Sequence, residues 1–361
     1  MNTNELKLAI IGGDFPPSNS PRAIRIFNLV SGLAPYFERI NVYLPNAPIN
    51  NLNAEKSNVK FYSFGRNIKF TFRGTFGRIL QRIFNLLFDY PDINFFFWLK
   101  NYRHVLDSDV ILTIGVPHSI HWGINKLLRT CNKKIYWIAE SSDPFFTKGM
   151  DIFPKPFYFR FLERSFLNKV DKVIVPFEGA IAAYPRFSKS KFSVIPQGFD
   201  SAYICSFRNE NVNNSIFTFG YAGTLYKFGR NPSEFLKKAI NSKFNFKFYL
   251  IVNNLDLIPS ECLSDERFII QNLMPREDVY RLLAGMDCIL NFENYSKTQS
   301  PSKIIEYSFL GRPIFTVNLE IDGDVFIDEL LSGNREPIQI NSSEYDNKQI
   351  IDKYISLFRM E

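Results

Sequence analysis

LKLAIIGGDFPPSNSPRAIRIFNLVSGLAPYFERINVYL, residues 6–44, decides the fold class. It opens on a short apolar run, residues 6–12, that ends in Gly12-Gly13. A run of that length suits a parallel strand buried on both faces. A Pro/Ser loop, DFPPSNSPRA, follows. Apolar residues then recur at helical spacing over residues 23–33, with Pro35 as a stop signal. INVYL, residues 40–44, is the next strand. Strand, loop, helix and strand make the opening unit of a doubly wound sheet.

The same alternation continues outward. Strands are expected at residues 110–114, 134–138, 172–175 and 192–195, with helical stretches between them. The pattern breaks at residues 199–215, FDSAYICSFRNENVNNS, which is polar and Asn-rich. It restarts with strands at 217–221, 246–252, 288–292 and 313–317, and helices at 232–240, 277–284 and 302–309. The expected organisation is therefore α/β, with two Rossmann-like parallel-sheet domains at 1–200 and 216–345 and a linker at 201–215. Residues 346–361 place Ile350, Ile351, Tyr354, Ile355 and Phe358 at helical spacing, which suits a last helix packing back on the first domain.

A chain of 361 residues fits two domains at roughly 100–200 residues each. With 45% hydrophobic and 22% charged residues it is not a disordered chain. Its 38 phenylalanines must build thick cores or coat an apolar surface. The net charge of +7 suits anionic partners (nucleoside diphosphates, anionic lipids, nucleic acid) or is simply a solvated basic surface. Cys131, Cys205, Cys262 and Cys288 are scattered, with no C-x-x-C pair, so neither a zinc site nor a disulfide framework is expected. The N-terminus lacks a signal-peptide pattern, and no run approaches the roughly 20 apolar residues of a membrane span. A reducing, cytoplasmic setting is the expectation.

Five stretches carry candidate chemistry. Gly12-Gly13 lets a phosphate or sugar approach the backbone after the first strand, though it lacks the G-x-G-x-x-G spacing and also reads as a tight turn. Gly223-Thr224-Leu225, followed by Lys227 and Arg230, lies at a strand end of the second domain. A glycine turn with two cations suits a diphosphate; the alternative is solvated loop cations. In SPSKIIEY, Ser300 or Ser302 suits a helix cap, and Lys303 and Glu306 share a helical face. Lysine neutralises phosphate oxygens and a carboxylate accepts two ribose hydroxyls, unless the two form a surface ion pair. GVPHSIHWG presents His118 as a hydrogen-bond donor for a sugar or as a structural histidine. His121 is three residues on, with no third metal ligand near. Glu140-Ser141-Ser142-Asp143-Pro144 places carboxylates after a strand, where they are functional or, for Asp143, a turn former. Asp322-Gly323-Asp324 resembles a D-x-D metal motif but reads as a turn.

Taken together, IIGGDFPPSNSPRAIRIFNLVSGL, GVPHSIHWG, IAESSDP, DKVIVPFEGA, FSVIPQGFD, GYAGTLYKFGRNP and SPSKIIEYSFLGRPI resemble glycosyltransferase family 4. The resemblance spans nearly the whole chain. It implies the GT-B fold, with two Rossmann-like domains facing across a cleft, an acceptor-side first domain and a donor-binding second one. It implies retaining transfer from a nucleotide-sugar donor to a glycan or polyprenyl-linked acceptor, as in cell-surface polysaccharide synthesis. No metal cofactor and no nucleic-acid partner are expected. Arg230 or Lys227, with Lys303, would hold the donor diphosphate; Gly223, Thr224 and Ser302 would line it; and Glu306 would bind the ribose. His118 would contact the donor sugar, Gly13 would lie under the phosphate and acceptor, and Asp143 would stand on the acceptor side. Thr298 replaces a glutamate that many relatives carry eight positions before the ribose-binding one, and Ser142-Asp143-Pro144 stands where relatives have Arg-Asp-Pro. A nucleotide-sugar epimerase of the same architecture is the alternative enzyme. A non-catalytic basic protein that binds membrane or nucleic acid is the alternative class.

Residues 65–103 alternate Arg73, Arg78 and Arg82 with Phe76, Ile79, Leu80, Ile83 and Phe84, and then run into Phe95-Phe96-Phe97-Trp98. Such a stretch suits an interfacial helix on an anionic membrane, or a helix docked on its own sheet.

Overall fold

The computed structural model describes residues 3–18, 20–46, 57–64, 74–141, 145, 155–184, 186–227, 230–293, 302–319 and 325–359. Arg73, Ser142, Asp143, Pro144, Thr298, Ser300, Pro301 and Asp322-Gly323-Asp324 lie outside them. The chain divides into two compact units, residues 1–198 with 347–361, and residues 199–346.

The first unit is built on β1 (Lys7–Ile11), β2 (Arg39–Leu44), β3 (Val59–Ser63), β4 (Val110–Gly115), β5 (Tyr136–Ser141), β6 (Lys172–Val175) and β7 (Phe192–Val194). All pair in parallel, in the order β3-β2-β1-β4-β5-β6-β7. Its helices are α1 (Pro21–Leu33), α2 (Gly74–Phe88), α3 (Asn94–Leu99), α4 (Ser119–Leu128) and α5 (Phe159–Lys169). Apolar residues of the inner strands are buried on both sheet faces, as a parallel sheet between helices requires. Ser20 caps α1 by accepting from the Ala23 amide, with Pro21 at the first helical position. Gly123 lets α4 lie against α3: a Cβ there would stand 2.8 Å from Leu99 Cβ and 3.3 Å from the Phe95 carbonyl oxygen. Gly123→Ala is therefore expected to cost about 1–3 kcal/mol in a urea unfolding curve, by overpacking against backbone.

The second unit repeats the design with β8 (Phe217–Gly223), β9 (Phe246–Val252), β10 (Phe268–Asn272), β11 (Cys288–Phe292) and β12 (Ile314–Val317), parallel in the order β10-β9-β8-β11-β12. Around it lie α6 (Ser201–Cys205), α7 (Ser233–Ala239), α8 (Ser260–Ser264), α9 (Arg276–Ala284), α10 (Ser302–Ser308) and α11 (Phe326–Leu331). Phenylalanine does much of the packing: Phe219, Phe235, Phe246, Phe248 and Phe292 are nearly sealed from solvent. The stretch read as a linker carries α6, whose Ile204 is buried in the core of this unit.

The closing helix, α12 (Asn347–Arg359), belongs to the first unit and buries Ile350, Ile351, Tyr354, Ile355 and Phe358 there. One buried polar tie fixes it. Arg25 of α1 pairs with Glu140 of β5 at 2.5 Å, and Tyr354 of α12 donates to the other oxygen of Glu140 at 2.6 Å. Burial opposes the Arg25 charge, but Glu140 and Tyr354 beside it hold its pKa above the ordinary value. Glu140, expected as a candidate site carboxylate, is 1% exposed and spent on this tie. The sequence shows it at a strand end, but not that its partners close over it.

Both strand orders reverse direction beside the first strand, between β1 and β4 and between β8 and β11. The carboxyl ends at such a switch point are where open α/β sheets bind ligands.

Candidate functional site

In the second unit the buried strand β8 ends at Gly223. Tyr221 stacks on Phe292 of β11, with ring centroids 4.2 Å apart, and burial pushes its phenol up to about 12. The Tyr221 hydroxyl lies 2.4 Å from where a Cβ of residue 223 would stand, so a larger residue there would push the stacked Tyr221 ring aside. Beyond the strand the chain turns back on itself: the Tyr226 amide donates to the Arg230 carbonyl at 3.0 Å. That turn brings Arg230 to the strand end, where its Nη1 donates to the Thr224 carbonyl at 3.4 Å. Lys227 lies in the turn, exposed.

α10 supplies the second wall. Lys303 and Tyr307, one turn apart, both donate to the Ala222 carbonyl at 3.2 Å. Glu306 shares their face. It does not pair with Lys303; Arg276 of α9 takes its Oε1 at 2.6 Å and the Tyr280 hydroxyl takes the same oxygen at 2.5 Å. Its Oε2 makes no hydrogen bond to any described residue. Burial first, and then the Glu306 charge, push the phenols of Tyr280 and Tyr307 well up, so both are neutral donors at neutral pH. The protein gathered around the Lys303 ammonium lowers its pKa; Arg230 and Arg276 add to this while Glu306 opposes it.

Three cations and one carboxylate thus face the carboxyl end of β8. Arg230, Lys303, Glu306, Gly223 and Thr224 are brought together there, and Ser302 opens α10 beside them. Arg276, Tyr280, Tyr307 and Tyr221 are additions that the sequence reading did not single out. The signal for Arg276 and Tyr280 was their i,i+4 spacing in PREDVY, at a helix start marked by Pro275.

In the first unit Gly13 follows β1 and faces the loop after β4: a Cβ on it would stand 2.7 Å from Pro117 Cδ. Asp14 holds the next turn, accepting from its neighbour's amide and from the hydroxyls of Ser18 and Ser20. His118 precedes the first residue of α4, 4% exposed, with its ring 5.2 Å from Phe145 and 5.8 Å from His121. His121 is a core residue. Its Nδ1 lies 2.8 Å from Thr113 Oγ1, and burial, then His118, lower its pKa well below the ordinary value. Among the described residues no three His, Cys, Asp or Glu side chains gather as a metal site.

No protein-family model matches the chain, and no curated protein matches it by sequence. Solved structures do resemble it. A glycosyltransferase from Rickettsia africae ESF-5 superposes with a TM-score of 0.65 at 11% identity, over 99% of this chain and 98% of that one. The lipopolysaccharide outer core galactosyltransferase WaaB in its apo form gives 0.60 at 14% identity, over 98% and 99%. The UDP-GlcNAc 2-epimerase from Methanocaldococcus jannaschii gives 0.55 at 14% identity, over 99% and 100%. At such identities the likeness is one of fold. Two all-parallel α/β units, shared along almost the full length with these glycosyltransferases, give this chain the GT-B fold.

Proposed function

We propose that the chain is a retaining, family 4-like glycosyltransferase that moves a sugar from a nucleoside-diphosphate sugar to a glycan or polyprenyl-linked acceptor. The observation that carries this reading is the cluster of Lys303, Arg230 and Arg276 with Glu306 at the end of β8. Lys303 and Arg230 neutralise the diphosphate, with Lys227 within reach of its outer oxygens. The backbone at Gly223 and Thr224 and the start of α10 at Ser302 line it. Glu306 accepts ribose hydroxyls on its open Oε2, held in place by Arg276 and Tyr280 on Oε1. Gly13 and His118 attend the donor sugar, and Asp143 the acceptor.

In the transfer step the bond from the anomeric carbon to the phosphate oxygen breaks and its electron pair leaves with the diphosphate. The acceptor oxygen bonds to the carbon on the face that the diphosphate leaves, and a phosphate oxygen takes the acceptor's proton. Lys303 and Arg230 supply the positive charge that a divalent ion supplies elsewhere.

A panel of UDP- and GDP-sugars, read by thermal unfolding, tests the reading. A donor at a hundred times its Kd stabilises the fold by about 2.7 kcal/mol. A flat response across the panel contradicts the proposal. Glu306→Ala is expected to weaken donor binding about 10- to 100-fold, the worth of hydrogen bonds to a charged group. An affinity within twofold of the wild type would remove the ribose role.

The fold likeness to a UDP-GlcNAc 2-epimerase favours epimerisation as the second reading. Incubation with the stabilising nucleotide sugar and no acceptor separates the two. An epimerase produces the epimer; a transferase leaves the donor's stereochemistry untouched.

Along α2 only Gly77 is buried, while Phe76 is 73% exposed and Ile79 51%. Arg78 and Arg82 accompany them, with no acidic residue in the helix. Phe95 and Leu99, by contrast, are core residues, so the expected stripe ends with α2; Phe97 alone of the later aromatics stays half-exposed. Their burial follows from α3 resting on α4. Among the described residues no helix is long and apolar enough to cross a membrane. An amphipathic α2 on an anionic membrane surface would hold the protein near a lipid-linked acceptor.

A further inference from the structure

The α4–α5 side of the first unit carries a groove of about 420 Å³, within the roughly 300–1,000 Å³ typical of small-molecule sites. None of the residues assigned to glycosyl transfer lines it. Arg129, Phe161, Arg164 and Lys169 form its walls, and Asn125 and Ser165 lie at its base.

Its polar groups are incompletely satisfied. Asn125 Nδ2 and Arg129 Nη2 both donate to Ser165 Oγ at 2.7 Å, which fixes the Arg129 side chain over the groove. Among the described residues Lys169 reaches only the Leu128 carbonyl, at 3.3 Å. None of Arg129, Arg164 and Lys169 pairs with a carboxylate among the described residues. Asn125 is 6% exposed, and its Oδ1 has no hydrogen-bond partner among the described residues. A buried acceptor left open is costly, so this oxygen asks for a donor. Three exposed cations with no carboxylate partner among the described residues suit an anion. A phosphate ester that carries a hydroxyl answers both; a bare anion answers only the second.

The groove opens beside apolar surface. Phe161 on its rim is 67% exposed and Phe157, with its ring 6.4 Å away, is 71% exposed. The Tyr158 hydroxyl donates to the Leu87 carbonyl near the end of α2, which brings these rings alongside the exposed Leu87 and Phe88. Apolar side chains next to a phosphate-seeking groove match the boundary between acyl chains and headgroups.

We propose that the groove between α4 and α5 binds the phosphate and hydroxyl of an anionic phospholipid headgroup, with Phe157 and Phe161 entering the acyl layer. The lipid source of that phosphate rests on the peripheral-membrane reading of α2. The phosphate chemistry of the groove stands apart from it.

Co-sedimentation of the full chain with vesicles of equal parts phosphatidylglycerol and phosphatidylcholine tests the proposal, alongside calorimetry with glycerol phosphate and with methyl phosphate. Arg164→Glu, at an exposed position, is expected to weaken vesicle binding at least about tenfold, because it reverses one of three cations on the headgroup. Arg39→Glu on β2, an equal change of charge outside the groove, should stay within about twofold, set by the same surface-charge effect. Glycerol phosphate should bind more tightly than methyl phosphate, with a dependence on Arg164. Equal losses for the two variants overturn the proposal, as does equal binding of the two phosphates. Glycerol phosphate bound through Arg164 without vesicle binding overturns the lipid source and leaves a free phosphate ester as ligand. Loss of vesicle binding in Phe76→Ser but not in Arg164→Glu leaves α2 as the membrane element and removes the groove.

Discussion

Lys303→Ala is expected to lower kcat with the matching nucleotide sugar by about 10²–10³-fold, the usual effect of removing one group that stabilises charge developing in the transition state. Folding stability should change by no more than about 0.5 kcal/mol, as for an exposed substitution. The structure explains why the two effects separate. The ammonium donates to the Ala222 carbonyl, but the Tyr307 hydroxyl donates to the same oxygen, so that acceptor keeps a partner in the variant. What is lost is positive charge at the proposed diphosphate site.

The pH dependence gives the same residue a second signature. Protein packed beside the otherwise exposed ammonium, and then the Arg230 and Arg276 charges, lower its pKa from the ordinary 10.5, against the opposing pull of Glu306. The active, charged form is therefore lost as pH rises, and lost earlier than for a solvated lysine. The profile of kcat/KM reports groups of the free enzyme, so its alkaline limb should fall below pH 10.5. Arginine stays charged throughout that range, so Lys303→Arg should retain part of the rate and flatten the limb. A Lys303→Ala enzyme with near-normal turnover would rule out the phosphate role.

Glu140→Ala should destabilise the first unit by about 3–5 kcal/mol, the cost of leaving one partner of a buried ion pair alone. The carboxylate is 1% exposed and joins three elements: β5, which carries it, α1 through Arg25, and α12 through Tyr354. Tyr354→Phe removes one hydrogen bond and should cost about 1–3 kcal/mol. Arg25→Met combined with Glu140→Leu should recover most of the Glu140→Ala loss, because apolar packing often replaces a buried pair at little cost. Urea unfolding of the four proteins reads these differences directly. A Glu140→Ala loss below about 1 kcal/mol would show that the pair adds nothing beyond the packing of α12.

How much was legible in the sequence follows from burial. The inner strands β1, β4, β8, β9 and β11 are short, mostly apolar stretches, and two Rossmann-like halves could be read from them. β3 and β10 went unread. VKFYS and FIIQN stand at the outer edges of their sheets, where part of each strand faces solvent and the apolar signal is diluted. The glycine turn at residue 223 and the Lys303/Glu306 face were readable, because a helical period fixes which side chains share a side. The identity of the partner was not. Spacing offered Lys303 to Glu306, yet Arg276, distant in sequence, takes the carboxylate once α9 lies beside α10. Glu140 and Asp143 looked alike at a strand end. Only the docking of α12 separates Glu140 as a structural residue, and no local pattern carries that contact.

A crystal structure of the protein soaked with the nucleoside diphosphate that most raises its melting temperature would locate the donor directly. Phosphate oxygens are expected within hydrogen-bonding reach of Lys303 and Arg230, and ribose hydroxyls on the Glu306 Oε2. A nucleotide bound elsewhere, with Glu306 still turned only to Arg276 and Tyr280, would contradict that placement.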